Sequence, residues 1–412
     1  MSVSVQWIDG GVTAPKGYKA GAASVGIKTE GRPDMAMLVS EAACAVAGTF
    51  TRNLVKAAPV VWDSRIVHES GAAKACVMNS GVANACTGEE GAALCRSCAQ
   101  AAGEALRIDP DSVLLASTGV IGRQLPMDKM RRGIGEMAGS LSDSREAAAH
   151  AAEAIMTTDT VKKEFALTFE LGGKTVTLGG MSKGSGMIHP NMGTMLAFLT
   201  TDAAVEKDVL QAALTKCVGE SFNMISVDGD TSTNDTCLLF ANGLAGNAKL
   251  CEAAGADFET FTEALMLLTK ALARRMAWDG EGAHALLEAT VEGASSKEQA
   301  VTIAKSVITS SLVKTAVAGH DANWGRILCA MGYSGAVFEP EKVDLTLASR
   351  AGSLLIVSGG VATDYSEETA TKILSEDEIT VRIDLKEGSE TATAWGCDLT
   401  HEYISINADY RS

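Results

Sequence analysis

The order of strand-like and helix-like segments along the chain is the sequence feature that most limits its fold. Apolar runs predict strands at DMAMLV, ACVMNS and SVLLAS in the first half and at VDLTLAS, SLLIVSGG, ITVRIDL and TATAWGC near the C-terminus. Two long amphipathic helices are predicted near 256–277 and 297–312. These elements lack the steady strand–helix alternation of a doubly wound parallel sheet. The order therefore predicts an α+β fold with layered sheets covered by helices.

The composition is that of a folded protein that handles small molecules. Of the 412 residues, 46% are apolar and 21% are charged, which is enough apolar material for sizeable cores. The formal net charge of -16 argues against nucleic acid as a partner, because phosphate binding needs a basic surface. No apolar run has the length of a signal peptide or a membrane span. We therefore expect no membrane partner and a cytoplasmic location.

The ten cysteines are scattered along the chain and do not form the pattern of a disulfide framework. Cys95 and Cys98 form a CxxC pair inside EEGAALCRSCAQAAGEAL, which has the character of a helix. Thr87 and Glu90 predict a capping box at the start of this helix. Since no second pair of ligands stands nearby, a buried helix face is favoured over a metal or redox site.

A glycine-rich loop runs directly into a strand in the middle of the chain, within GMSKGSGMIHPNMGTMLAFLTTDA, residues 180–203. The preceding segment 164–178 alternates in polarity and predicts a β-hairpin that turns at Gly172-Gly173. Thr194 then opens an apolar, β-prone run that predicts a buried strand. A threonine at the first position of such a strand, after a glycine, invites a functional explanation.

Thr194 is suited to self-cleavage of the chain, although most strand threonines only pack or form a local hydrogen bond. Gly193 can adopt backbone conformations that are barred to other residues. If the Thr194 hydroxyl attacked the preceding carbonyl, an N-to-O acyl shift and hydrolysis would cut the chain between the two residues. The new α-amine has a reference pKa of about 7.7–8.0 and can act as the base for its own hydroxyl.

Competing catalytic motifs are missing from the sequence. The six histidines form no metal or triad motif, HExxH is absent, and no GxSxG has a hydrolase context. The loop VDGDTSTND, residues 227–235, has the first three ligand positions of a calcium loop. It has Thr233 and Leu239 where such a loop needs glycine and glutamate. We therefore expect a polar, hydrogen-bonded turn and no metal ion or other cofactor.

The segment LLASTGVIGRQLP, residues 114–126, provides hydrogen-bond donors of the kind that acyl transfer requires. The Thr118 hydroxyl and the Gly119 backbone N–H come at the end of a predicted strand. By spacing alone, an ordinary strand end is the more economical interpretation.

Together these segments resemble the ornithine acetyltransferase family, the glutamate N-acetyltransferases of arginine biosynthesis. The resemblance covers nearly the whole chain. Besides the stretch around Thr194, it is carried by FTRNLVKAAPV, NSGVANACTG, STGVIGRQLPMDK, IMTTDT, FNMISVDGDTSTNDT, DGEGA, HDANWGR and INADYRS.

The resemblance implies a precursor that cuts itself before Thr194. The fragments would be 1–193, which carries the oxyanion hole, and 194–412, which begins with the nucleophile. They are expected to stay together as an α2β2 assembly. The implied fold is an αββα layered, N-terminal-nucleophile-like fold of the aminopeptidase/ornithine acetyltransferase type. Gly193 departs from the alanine usual in the family, but both residues are small.

The resemblance also implies the roles of individual residues. Thr194 is the expected nucleophile, and Thr118 and Gly119 are the expected oxyanion hole. The expected substrate contacts are Thr157, Lys183, Thr194, Glu281, Asn407 and Ser412. We expect Lys183 to bind an anionic oxygen group of the substrate and Glu281 its ammonium group.

The reaction implied is a ping-pong transfer of acetyl from N-acetylornithine to glutamate through acetyl-Thr194, without a cofactor. Acetyl-CoA is a possible co-substrate, which the sequence does not decide. One alternative is a self-processing amidase or aminopeptidase of the same fold, with water as the acceptor. The other is a small-molecule-binding protein in which Thr194 is an ordinary strand residue.

Overall fold

The computed structural model describes residues 3–28, 31–189 and 195–409, and these form two β-sheets with helices packed against them. The strands are β1 (Val5–Ile8), β2 (Tyr18–Ala23), β3 (Met35–Phe50), β4 (Ala72–Val82), β5 (Val113–Val120), β6 (Lys163–Leu171), β7 (Lys174–Lys183), β8 (Leu196–Thr201), β9 (Thr236–Ala241), β10 (Leu286–Ala294), β11 (Asp344–Ser349), β12 (Gly352–Ser358), β13 (Val361–Ala362), β14 (Glu378–Asp384) and β15 (Glu390–Cys397). The helices are α1 (Ala58–Glu69), α2 (Gly88–Leu106), α3 (Met127–Gly139), α4 (Arg145–Ala154), α5 (Lys207–Gly219), α6 (Ala256–Trp278), α7 (Lys297–Thr309), α8 (Ser311–Ala318), α9 (Trp324–Gly332), α10 (Glu367–Leu374) and α11 (His401–Asp409).

The large sheet contains nine strands of the described chain, in the order β1-β6-β7-β8-β9-β3-β4-β5, with β2 paired to β3. The pairs β8/β9 and β4/β5 are parallel, and the other pairs are antiparallel. Every residue of β8, LAFLTT, is buried, as expected for a strand covered on both faces. One face packs on α5 and α6, and the other packs on α4.

The small sheet has six strands within the described chain, in the order β13-β12-β11-β14-β10-β15. Its buried side chains, such as Val381 and Ile383, belong to the same core cluster as α6 and α7. The α+β fold of layered sheets and helices that the sequence predicts is confirmed.

The predicted β-hairpin is confirmed as β6 and β7. Gly172 and Gly173 have φ angles of 56° and 74°, which explains why two glycines form its turn. The strand predicted after Thr194 is also confirmed, as β8. Lys183 at the end of β7 pairs with Leu196 at the start of the antiparallel strand β8, so the chain reverses direction between these two residues.

Two local predictions are wrong. The Thr87 hydroxyl does not cap α2 but donates to Asn84 Oδ1 at 2.8 Å. The helix predicted over 297–312 is divided into α7 and α8, because the Ser310 side chain accepts from the Val313 backbone N–H and starts a new helix. Cys95 and Cys98 are buried on α2, as predicted.

Among the described residues, no single helix is long and apolar enough to cross a membrane. Helices α7 and α8 reach that length together but are bent by 57°.

Candidate active site

A cavity of about 140 Å³ lies where strands of the large sheet end. Six of the residues predicted for the site line it: Thr118, Gly119, Thr157, Lys183, Glu281 and Asn407. The other three predicted residues, Gly193, Thr194 and Ser412, lie outside the described residues. Met195, which follows Thr194 in the chain, also lines the cavity. A larger cleft of about 930 Å³ between α1 and α2 contains none of the six.

The predicted oxyanion pair sits where the parallel strands β4 and β5 come together. Gly119 faces Gly81 on β4 and has a φ of 125°, a conformation that favours glycine. A Cβ on Gly119 would overlap the Gly81 backbone, so the close approach of the strands excludes a side chain here. Thr118 lines the cavity, where its hydroxyl accepts a 3.4 Å hydrogen bond from Lys183 Nζ.

A loop from the second half of the chain fixes the end of β5. The buried Asn234 side chain donates to the carbonyl oxygens of Ser117 at 2.7 Å and Ala83 at 2.6 Å. This pair of hydrogen bonds ties residues next to Thr118 to the polar turn that the sequence likened to a calcium loop. The predicted hydrogen-bonded turn is therefore confirmed, and it is part of the cavity wall.

Lys183 is the buried cation of the cavity. It lies at the end of β7 and is only 8% exposed. Burial lowers its pKa from the usual value, because water stabilises an ammonium group better than protein does. The carboxylates of Asp159, Glu281 and Asp235 oppose this change, and the Lys163 ammonium adds to it.

Glu281 and Asn407 line the cavity together. The Glu281 backbone N–H donates to the Ser185 carbonyl at 2.8 Å, and its carboxylate lies so close to Gly186 that a Cβ there would overlap it. The Asn407 side chain donates to Glu281 Oε2 at 2.8 Å. Helix α11 thus brings the C-terminal part of the chain to the cavity as far as the described residues extend.

The loop that precedes β9 holds both flanks of the undescribed segment 190–194. Upstream, the Asp228 carboxylate accepts from the backbone N–H groups of Met187 at 2.6 Å and Ile188 at 2.8 Å. Downstream, the Thr236 N–H donates to the Met195 carbonyl at 3.0 Å. The acidic residues of this loop are visible in the sequence, but their spacing resembles a calcium loop and does not indicate that they bind the backbone on both sides of segment 190–194.

Asp235 is a cavity residue that sequence reasoning missed. It is 1% exposed, and its Oδ2 has no hydrogen-bond partner among the described residues. Burial raises its pKa well above the usual range, although the Met195 backbone N–H, the Ser232 hydroxyl and the Lys183 ammonium oppose the change. The Asp235 carboxyl group therefore contacts the backbone N–H of Met195, the residue that follows Thr194 in the sequence.

The cavity combines groups that suit a small amino-acid derivative. It offers an ammonium group at Lys183 and a carboxylate at Glu281, which complement an α-carboxylate and an amine. Hydroxyl and backbone donors at Thr118 and Gly119 suit a carbonyl oxygen that becomes negatively charged. A few charged and hydrogen-bonding groups placed around one cavity are what orients a small ligand.

Comparisons with known proteins agree over nearly the whole chain. The model of the ArgJ family matches residues 19–412. The arginine biosynthesis bifunctional protein ArgJ of Symbiobacterium thermophilum is 51% identical over 410 residues, covering 99% of this chain and 100% of that protein. The protein of the same name from Thermotoga neapolitana is 46% identical over 399 residues, covering 97% and 99%.

A solved structure is similar as well. The crystal structure of arginine biosynthesis bifunctional protein argJ from Bacillus halodurans has 44% sequence identity and a TM-score of 0.50. The alignment covers 53% of this chain and 100% of the solved chain.

Proposed function

This chain belongs to the ArgJ family, and on that premise we propose that it transfers acetyl from N-acetylornithine to glutamate. The observation that carries the proposal is the cavity itself. Residues 118–119, 157, 183, 281 and 407 are far apart in sequence, yet they line one small space. The family resemblance assigns a role in this reaction to each of them.

The proposed maturation is a cut between Gly193 and Thr194. The Thr194 hydroxyl adds to the Gly193 carbonyl carbon and loses its proton, and the Thr194 nitrogen leaves with a proton. Water then hydrolyses the ester, which gives a Gly193 carboxylate and a free Thr194 amine and hydroxyl. A solved relative that matches only about half of this chain over its own full length supports such a cut.

Strand pairing and shared buried clusters hold together the two proposed fragments, 1–193 and 194–412. Strand β7 belongs to the first and β8 to the second, and the two strands pair from Leu178–Thr201 to Lys183–Leu196. Their side chains also share buried clusters, in which Met181 packs with Phe198 and Phe240. We propose an α2β2 assembly of these fragments, in keeping with the family resemblance.

The proposed reaction has two steps at one site. The Thr194 hydroxyl attacks the acetyl carbonyl while the Thr194 amine takes its proton, and the Thr118 hydroxyl and Gly119 N–H bind the oxyanion. Ornithine leaves and acetyl-Thr194 remains. The amine of glutamate then attacks this ester, which gives N-acetylglutamate and restores the Thr194 hydroxyl.

The proposed substrate contacts follow from charge. Lys183 binds an anionic oxygen group and Glu281 an ammonium group, while Thr157, Asn407 and Ser412 complete the set. No metal ion or prosthetic group takes part in the proposed steps. The relatives are named bifunctional, and acetyl-CoA as a second acetyl donor is the corresponding proposal for this chain. The proposed location is the cytoplasm, with which ten free cysteines agree.

One experiment tests the proposal against its alternatives. The intact mass of the purified protein is measured under denaturing conditions, and the protein is then given N-acetylornithine with a deuterated acetyl group, with and without glutamate. We expect two fragments, the second beginning at Thr194, and labelled N-acetylglutamate. Release of labelled acetate with no transfer to glutamate would instead identify an amidase. An uncut chain with neither reaction would favour a binding protein.

A further inference from the structure

A buried group of three charged residues lies directly behind the cavity. Lys163, whose side chain is fully buried, donates to Asp159 Oδ1 and to Asp279 Oδ2, both at 2.6 Å. The two carboxylates are nearly as inaccessible, with 0% and 3% of their side chains exposed. Buried charges of this kind are costly unless their hydrogen bonds are satisfied. This group joins three segments of the chain: the connection between α4 and β6, the start of β6 and the end of α6.

The remaining hydrogen bonds of Asp159 go to the cavity wall. Its Oδ2 accepts from the Thr157 backbone N–H at 3.0 Å, and its Oδ1 accepts from the Gly184 N–H at 2.7 Å. One carboxylate therefore fixes the turn that carries Thr157 relative to the peptide that follows Lys183. The Thr158 and Ser185 hydroxyls, 2.7 Å apart, join the same two segments beside it.

Lys183 and Lys28 bring further positive charge close to this group. Asp159 and Asp279 carry two negative charges against the one positive charge of Lys163. Burial works against ionisation of Asp159, but the Lys163 and Lys183 ammonium groups hold its pKa well below the usual range. In the opposite direction, Asp159 is the strongest influence that favours the charged form of Lys183.

We propose that Asp159 is a positioning residue for substrate binding, which ties the Thr157 backbone to the peptide that follows Lys183 and places a buried carboxylate beside the Lys183 ammonium group. This inference rests on the proposed function, in which Lys183 binds an anionic group of the substrate. Asp159 itself does not line the cavity among the described residues. It acts through the two residues that do.

Charged groups from several segments of the chain surround Lys183. On the favourable side are Asp159, Glu281 and Asp235, and on the unfavourable side is Lys163. Lys28 approaches from the N-terminal segment, where burial lowers its pKa to about 8 and Lys183 adds to that shift. Removal of the Asp159 charge leaves the Glu281 and Asp235 carboxylates against the Lys163 and Lys28 ammonium groups, so the pKa of Lys183 falls further.

The decisive variant is Asp159→Asn, which removes the charge and one of the acceptor oxygens. Lys163 remains paired with Asp279, so no buried anion is left without a cation. We expect KM for N-acetylornithine to rise at least about tenfold with a smaller change in kcat. The alkaline limb of the kcat/KM profile is expected to move to lower pH by about one unit, because Lys183 loses its proton more easily.

Asp63→Asn is the matched control. Asp63 is also fully buried, accepts one backbone hydrogen bond from Leu115 at 2.8 Å and has an Oδ2 without a partner among the described residues. It does not line the cavity. The amide of asparagine still offers an oxygen to the Leu115 N–H, so β5 should stay in place and we expect the wild-type KM and pH profile. This variant therefore measures the general cost of replacing a buried acidic side chain.

Two further variants make the outcome decisive. If Lys183→Met transfers acetyl with a normal KM, the proposed substrate contact at Lys183 is wrong. If Lys183→Met raises KM while Asp159→Asn keeps the wild-type KM and pH profile, the contact at Lys183 stands and only the role of Asp159 is wrong. Should Asp159→Asn fail to fold, Asp159→Glu replaces it. That variant keeps the charge and displaces the oxygens, so we expect a raised KM with an unmoved alkaline limb; an unchanged KM would overturn the positioning role.

Discussion

The two sheets differ in how the chain builds them and in what they carry. The large sheet takes strands from both sides of the proposed cut, since β7 ends at Lys183 and its neighbour β8 begins at Leu196. The small sheet is built from residues 286–397 alone. The predicted oxyanion pair and Lys183 all lie at strand ends of the large sheet.

This difference explains how a cut could create a catalytic group without taking the site apart. A break between paired strands leaves their hydrogen bonds and shared core in place, so a new α-amine would arise inside an existing cavity. Among the described residues, no strand of the small sheet lines the cavity. The small sheet joins it through two connections: the one that carries Glu281 between α6 and β10, and α11, which follows β15 and carries Asn407. We therefore regard the large sheet as the frame of the site and the small sheet as its support.

The largest effect is expected for Thr194→Ala. This variant has neither the hydroxyl for self-cleavage nor the nucleophile for transfer, so we expect an uncut chain and at least about a 1,000-fold loss of activity. Intact mass and the labelled-acetyl assay measure both. Thr194→Ser is the control, since it keeps a hydroxyl and should retain cleavage and part of the activity. An active, uncut Thr194→Ala protein would contradict the mechanism.

Deletion of residues 407–412 should give the next largest effect. It removes Asn407, whose amide donates to Glu281 Oε2, and the predicted contact Ser412. Because α11 has no buried residues, the core should be unaffected. We expect acetyl transfer to fall at least about 100-fold, because a substrate-positioning group is lost. Thermal unfolding should be nearly unchanged, and a fully active truncation would show that the C-terminus lies outside the site.

The fold was more predictable than the site, because strands and turns depend on neighbouring residues. The β6–β7 hairpin follows from alternation and from two glycines at the turn. The failed capping box at Thr87 shows the limit of such patterns. The sequence contains the residues of a capping box, but the Thr87 hydroxyl donates to Asn84 Oδ1 instead of capping α2. The capping-box pattern does not include such a competing acceptor.

The site could not be predicted from local patterns, because the residues that contact each other there are far apart in the sequence. Lys163 meets Asp279 across 116 positions, and Asn234 reaches Ser117 across 117. Composition and spacing single out neither pair. Six of the residues that line the cavity were predicted through the family resemblance. The roles of Asp159 and Asp235 follow from their burial and their hydrogen-bond partners, which only the folded structure shows.

A smaller effect is expected for Asp235→Asn, on cleavage rather than on folding. Asp235 adjoins Met195, and its raised pKa suits a group that exchanges protons during the acyl shift. Full-length chains made by cell-free translation should be cut at least about tenfold more slowly than wild type. The control is Asp63→Asn, in which burial likewise raises the pKa of the native carboxyl group. If Asp63→Asn slows cleavage as much as Asp235→Asn does, the loss of a buried carboxyl group alone explains the slower cleavage.

The smallest effect on activity is expected from a matched pair of core substitutions, one in each sheet. Val77 on β4 and Val381 on β14 are both 1% exposed and lie in the middle of their strands. Replacing either with alanine should lower the free energy of unfolding by about 2 kcal/mol, through lost burial and a small cavity.

The two substitutions should nevertheless differ in catalysis. Val77 pairs with Leu115 on β5, the strand that ends at Thr118 and Gly119, so a shift of β4 also moves the proposed oxyanion donors. We expect Val77→Ala to lower kcat/KM about threefold, because catalysis is sensitive to small displacements of positioned groups. Val381→Ala should leave kcat/KM unchanged at a temperature where both variants are folded. An equal loss in both would mean that the small sheet shapes the cavity as directly as the large sheet does, since their stability losses are matched.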